Sequence, residues 1–190
     1  MNGQHAALCS SAAWAAHLAS ALVPWAVGED PASLGEDVLE VGPGYGLATD
    51  LLRPHVGRLT AVEVDPSLAG PLASRLAGTN VVVVVADAAA LPFPDGRFSA
   101  AVSFTMLHHV PTVAHQDRVL AEVRRVLRPG GILVGTDSAD SADFRAFHED
   151  DVCNPVDPAT FAARLEGAGF VEVEVETGEA GVRFRGTAPG

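Results

Sequence analysis

The sequence predicts an α/β protein built on one open, doubly wound sheet with helices on both faces. Apolar runs at 37–41 and 59–64 flank a glycine turn and a stretch with Leu47, Leu51 and Leu52 at helical spacing. That is a βαβ unit, and its crossover should be right-handed. Strand-like and helix-like segments then alternate to residue 176, with turn signals between them, and that alternation is the pattern of a mainly parallel sheet.

Each element has its own reason. Residues 11–27 are Ala-rich and apolar and read as a packing helix. His17 and Pro24 interrupt them, and no cationic residue precedes them, so neither a bilayer span nor a secretory leader is expected. Residues 47–53 suit a short helix stopped by Pro54. Residues 67–76 suit another, with Pro71 a candidate for its start. Residues 80–86 are a Val-rich buried strand, and 98–104 another. A helix over 116–127 is closed by Arg128-Pro129-Gly130-Gly131, with a strand at 132–136 after the stop. Asp157 and Pro158 open a helix that Gly169 closes. Residues 170–176 alternate apolar with acidic, as a strand with one solvated face does, and 182–187 pair back as a hairpin around Gly178 and Gly181.

Composition narrows the partners. The chain has 190 residues, room for one domain with a sizeable core, and 48% are hydrophobic. All twelve basic residues are Arg and face 24 acidic ones, a formal charge of -12. Tracking nucleic acid or an anionic membrane needs clustered positive charge, so neither partner is expected. Cys9 and Cys153 match no zinc or redox spacing and read as reduced thiols of a cytoplasmic protein.

Ligands of open α/β sheets bind beyond the carboxyl ends of the strands. The first such turn, 40–46, carries Gly42, Gly44 and Gly46 in the spacing G-x-G-x-G, with Leu47 where a dinucleotide fingerprint would place its third glycine. A phosphate loop needs a lysine, and the chain has none. Glu63, about twenty residues on, stands where a carboxylate takes both hydroxyls of a ribose. Asp87, after the Val-rich strand, can accept from an adenine amine while apolar neighbours sandwich the ring. A nucleoside without phosphates fits this order of groups better than a dinucleotide, and a nicotinamide oxidoreductase is the weaker rival.

With these motifs in place, the sequence resembles the class I S-adenosylmethionine-dependent methyltransferases, most closely the type 11 group. Residues 38–46, 61–66, 86–93, 106–111, 125–131 and 168–170 are similar to six of their motifs in order, and the resemblance spans about 37–187. It implies a Rossmann-like sheet of seven strands with an antiparallel terminal strand. It also implies S-adenosylmethionine as cofactor and S-adenosylhomocysteine as product. Glu40 with Gly42, Pro43, Gly44 and Gly46 would hold the methionine part. Glu63 would hold the ribose and Asp87 with Ala88 the adenine, and Val64 and Phe104 complete the cofactor set. Ser99 departs from the family, which often has aspartate there. The implied function is in-line methyl transfer to a small-molecule acceptor. The alternative is a catalytically silent protein that binds the cofactor for regulation or interaction.

His109, His108 and His148 are the candidates for a base or substrate anchor. Neighbours on a helical turn diverge by about 100°, so at most one of His108 and His109 should face the cleft. His108, His109, His115, His148, Glu149, Asp150 and Cys153 are metal-ligand types, but their spacing matches no known site, so no metal centre is expected. Residues 1–36 form a helical segment ahead of the domain at 37–190, read equally as a lid or as cover for the sheet. Arg118, Arg124, Arg125 and Arg128 read as a solvated helix face.

Overall fold

The computed structural model describes residues 2–190. Its centre is a seven-stranded sheet in the order β3-β2-β1-β4-β5-β7-β6. The strands are β1 Asp37–Val41, β2 Arg58–Glu63, β3 Val81–Val85, β4 Phe98–Phe104, β5 Leu127–Asp137, β6 Val171–Gly178 and β7 Gly181–Thr187. The first five pair parallel, and β7 runs antiparallel between β5 and β6. The chain winds outward from β1 to β3, then crosses to β4. The switch point therefore lies between β1 and β4, where ligands of such sheets bind.

Helices cover both faces. The N-terminal segment holds α1 Gly3–Cys9, α2 Ala12–His17, a π-helical turn Leu18–Leu22 and α3 Val23–Val27. The others are α4 Leu47–Leu52, α5 Pro66–Arg75, α6 Val113–Val126, α7 Ala142–Phe147 and α8 Pro158–Gly167. Side-chain alternation along β1 divides the core in two. Val38 packs with Leu22, Leu52 and Leu72 under the N-terminal helices, α4 and α5. Leu39 and Val41 face the opposite way, onto Val119, Val123, Phe161 and Leu165 of α6 and α8. Among the described residues no single helix is long and apolar enough to cross a membrane. The pair Gly3–Cys9 and Ala12–Val27 would pass together, bent by 50°, but Leu18, Leu22, Val23 and Ala26 of its second arm are spent on the core.

The structure shifts four details. Pro71 does not start α5: Asp65 caps the helix at Pro66 by accepting the Ser67 N–H at 2.8 Å, and Pro71 sits inside it. α6 begins three residues before expectation because Thr112 caps it through the His115 N–H. Arg128-Pro129-Gly130-Gly131 stops the helix but not the strand. β5 runs through it, with Gly130 N–H donating to the Ala188 carbonyl and Ala188 N–H to that of Gly131. Two arginines are not simply solvated. Arg125 donates to Glu122, Asp95 and the carbonyls of Leu91 and Phe93, tying the β3–β4 connection to α6; Arg124 donates to the Gly169 carbonyl. Ser99 is buried, its hydroxyl within 2.9 Å of the Leu34 and Asp37 carbonyls. A Cβ on Gly35 would stand 2.8 Å from that hydroxyl oxygen, so a small residue suits the spot.

Candidate active site

The carboxyl ends of β1, β2, β3 and β4 open into one cavity of about 490 Å³. The turn after β1 makes its floor. Gly42 lies at φ +70° and Gly46 at φ +78°, a region L side chains rarely adopt. A Cβ on Gly42 would stand 2.1 Å from Met106 Cγ, and one on Gly46 2.3 Å from Leu72 Cδ1. Beside Gly44, by contrast, nothing among the described residues other than its own chain neighbours lies within 4 Å of where a Cβ would stand. Of the residues assigned to the cofactor, Glu40, Gly42, Pro43, Gly44, Glu63, Val64, Asp87, Ala88 and Phe104 line the cavity. Gly46 does not. It holds the turn against α5 from behind.

Three carboxylates differ in surroundings. Glu40 is fully buried, and burial pushes its carboxyl up to about 7, although a 2.6 Å hydrogen bond from Thr49 Oγ1 works the other way. Glu63 accepts the Gly44 N–H and the Asp65 N–H, both at 3.0 Å, and so braces the glycine turn from the neighbouring strand. Asp87 is half exposed, with His115 Nε2 3.3 to 3.4 Å from its two oxygens.

The opposite wall follows β4. Thr105, at φ +49°, turns the chain sharply into a 3₁₀ turn, Leu107–His109. Gln116 Nε2 donates to the carbonyls of Leu107 and Asn154, both at 2.8 Å. Asn154 in turn donates to those of His108 and Val110. His109 lines the cavity, while His108 and His148 lie buried behind it. One histidine of the adjacent pair therefore faces the cleft, yet their ring centroids remain 4.1 Å apart because a 3₁₀ turn is tight. His5 joins them, 4.8 Å from His109 and 4.5 Å from His148 between centroids. Burial and the neighbouring His108 and His5 hold His109 down to about 3. Cys9 also lines the cavity, and burial raises its thiol to about 11, so it is no nucleophile at neutral pH.

Sequence reasoning missed Asp137, Asp151, Gln116 and Asn154. Asp137 Oδ1 lies 2.6 Å from His108 Nδ1, and Asp151 Oδ2 lies 3.2 Å from His5 Nδ1. Asn2 bonds the carbonyls of Phe147 and Glu149, clamping α1 onto the turn after α7. No local motif marks contacts between residues about 145 apart.

A family model described as a methyltransferase domain, of type 11, matches residues 39–135. The chain belongs to that family. A probable ribosomal RNA small subunit methyltransferase A from Methanothermobacter thermautotrophicus is 38% identical over 89 residues, 41% of this chain and 33% of that protein. A 2-methyl-6-phytyl-1,4-hydroquinone methyltransferase from Synechocystis is 34% identical over 176 residues, 84% of this chain and 54% of that protein. The chain thus spans between a third and about half of the length of these relatives. Among solved structures, a putative methyltransferase in complex with the Trm112 activator of Haloferax volcanii superposes with a TM-score of 0.75. It is 19% identical and covers 94% of this chain and 97% of its own, a likeness of fold. The cofactor of such a domain is S-adenosylmethionine.

Proposed function

We propose that the protein transfers a methyl group from S-adenosylmethionine to a small-molecule acceptor by in-line displacement. The observation that carries this is one cavity in which a glycine turn, Glu63 and Asp87 stand at the ends of three adjacent strands. The donor set fits a nucleoside without phosphates, since the two carboxylates offer acceptors for hydroxyl and amine groups and the chain has no lysine. When bound, S-adenosylmethionine supplies an electrophilic methyl group on a sulfonium.

The chain's own residues do the rest. Glu40 and the 42–46 turn would hold the methionine part, Glu63 and Val64 the ribose and Asp87 and Ala88 the adenine, with Phe104 lining the same cavity. With its imidazole neutral at pH 7, His109 is a weak base and a good hydrogen-bond partner, so it anchors the acceptor rather than deprotonating it. His108 and His148 act behind it. Holding donor and acceptor in line accounts for most of what such a site must supply. Cys9, Trp14 and Leu18 border the cavity, which supports the N-terminal segment as a lid.

A charge of -12 without a basic stripe favours a small acceptor over RNA, although one relative is named for ribosomal RNA. Titration calorimetry with S-adenosylmethionine and S-adenosylhomocysteine should give one saturable site, weakened at least tenfold in Glu63→Ala and in Asp87→Ala. No binding by the folded protein overturns the proposal. Methylation of RNA but of no quinol, phenol or amine would move the acceptor class to RNA. Tight binding without any transfer would favour the silent cofactor-binding alternative.

A further inference from the structure

Behind the cavity wall, four imidazoles from three remote stretches of chain converge. His5 comes from α1, His108 and His109 from the turn after β4, and His148 from the end of α7. Each offers a ligand atom within 4.8 Å of the others. His5, His108 and His148 are at most 4% exposed. Buried imidazoles normally use both ring nitrogens, and here the ring nitrogens divide by role. His108 Nδ1 faces Asp137 at 2.6 Å, His148 Nδ1 faces the Phe144 carbonyl at 2.7 Å, and His5 Nδ1 faces Asp151 at 3.2 Å. Among the described residues, the Nε2 atoms of His108 and His148 are buried with no hydrogen-bond partner.

One nitrogen held by a carboxylate or carbonyl, with the other left for an ion, is how metal-binding histidines are oriented. A cluster kept only for packing would have no reason to orphan two buried nitrogens beside each other. We propose that His5, His108 and His148, with His109 in the fourth position, bind one divalent transition metal, zinc being the best match to an all-imidazole tetrahedron. Asp137 and Asp151 bring two negative charges against the ion's two positive ones. Ligands about 2.0 to 2.1 Å from zinc stand roughly 3.4 Å apart, so the cluster must contract by about an ångström or more. Movement of α1, a seven-residue helix with no residue in either hydrophobic core cluster, can supply much of that.

The consequence is mechanical. The metal would fasten α1 to α7 and to the turn carrying His109, closing the wall of the cavity from behind. A site assembled from positions 5, 108, 109 and 148 is invisible to ligand spacing, which is why none was expected. The inference does not depend on methyl transfer, and its test needs no cofactor.

The test is titration of metal-free, full-length protein with Co(II) and Zn(II), read by calorimetry and by the visible absorption of tetrahedral cobalt. One site per chain is expected, with a melting temperature that rises with free zinc. Hydrogen exchange at 3–9 should slow at the same concentrations. His148→Ala and His5→Ala should each weaken binding more than about a hundredfold. Asp137→Asn, which leaves the ligands intact, should weaken it about tenfold to a hundredfold. His5→Ala is the safeguard against misfolding, because α1 contributes no residue to either hydrophobic core cluster. The proposal falls if the folded wild type takes up no stoichiometric metal. It also falls if folded His5→Ala binds as tightly as wild type, or if cobalt shows thiolate bands, which would put the ion on Cys9 or Cys153.

Discussion

The two walls of the cavity are built in opposite ways. The wall assigned to the cofactor comes from β1, β2 and β3 and the turns directly after them, so each functional group lies within a few residues of the strand that places it. The histidine wall is assembled from residues 2, 5, 108, 109, 116, 137, 148, 151 and 154, held by contacts as far as 149 positions apart. Local construction tolerates change elsewhere and fails when its own backbone is disturbed. Distributed construction should fail by degrees as each tie is cut.

The sharpest way to break the contrast is at Gly42, where the walls touch. Its φ of +70° already disfavours a side chain, and a Cβ would stand 2.1 Å from Met106 Cγ. Gly42→Val should therefore disturb the glycine turn and push on the histidine turn together. We expect S-adenosylmethionine affinity to fall more than about a hundredfold, a loss near 3 kcal/mol, with a clear drop in melting temperature. Calorimetry and a thermal melt check both. If affinity falls while hydrogen exchange at 107–110 is unchanged, the walls are mechanically separate.

Glu40→Gln probes the local wall by itself. In the unfolded chain its carboxyl ionises near 4.5, and in the fold at about 7. Between those values the fold keeps a proton that the unfolded chain has released, so stability falls as pH rises through that window. The full penalty, roughly 3 kcal/mol, stands above pH 7 and is absent below 4.5. Glu40→Gln keeps an acceptor for Thr49 and removes the charge. The variant should melt higher than wild type at pH 8 and about equally at pH 4.5. It should also bind S-adenosylmethionine about tenfold or more weakly at pH 8, where wild-type Glu40 is ionised. Equal melting temperatures at pH 8 would show that water or a counter-charge already relieves the buried carboxylate.

The distributed wall should respond differently to Gln116→Leu. Gln116 is buried and donates to two carbonyls, while its own oxygen accepts from Arg164 at 2.8 Å. Leucine strips the Asn154 carbonyl of this donor and leaves the Leu107 carbonyl with the Val110 N–H alone, at a cost of about 1 to 3 kcal/mol in stability. Cofactor affinity should stay within about threefold, because no strand-end group moves. A thermal melt paired with calorimetry separates the two effects.

The same division explains what the sequence could reveal. β1, the glycine turn, Glu63 and Asp87 were legible because a short apolar run, glycine spacing and strand-end position are properties of short segments. The count of seven strands with an antiparallel terminal strand followed from the family resemblance, and the terminal hairpin from the alternation at 170–176 and the glycines at 178 and 181. The start of α6 was also present locally, in the Thr112 cap, but the weaker run at 113–115 hid it. The His108–Asp137 and His5–Asp151 contacts were not legible. They depend on how the crossover after β4, the end of β5 and the N-terminal helices are packed together, and no window of sequence contains that. His148 is a sequence candidate for the cleft, yet it is buried, because as the residue closing α7 its ring packs on His108 and on Phe144 one turn back.

The smallest effect is expected where the legible wall meets solvent. His115 sits beside Asp87 with both side chains accessible, at 26% and 50% exposure. A pair so exposed exchanges protein contact for water at little net gain, typically below about 1 kcal/mol. His115→Ala should therefore change S-adenosylmethionine affinity by less than about fivefold. Asp87→Ala, which removes the acceptor assigned to the adenine amine, should cost at least about tenfold. Titrating both variants at low and high salt isolates the electrostatic part, since screening acts on exposed charges. If His115→Ala proved as costly as Asp87→Ala, the histidine would be holding the carboxylate in its binding position. The cofactor wall would then also depend on a tie from α6, and the contrast between local and distributed construction would fail at that corner.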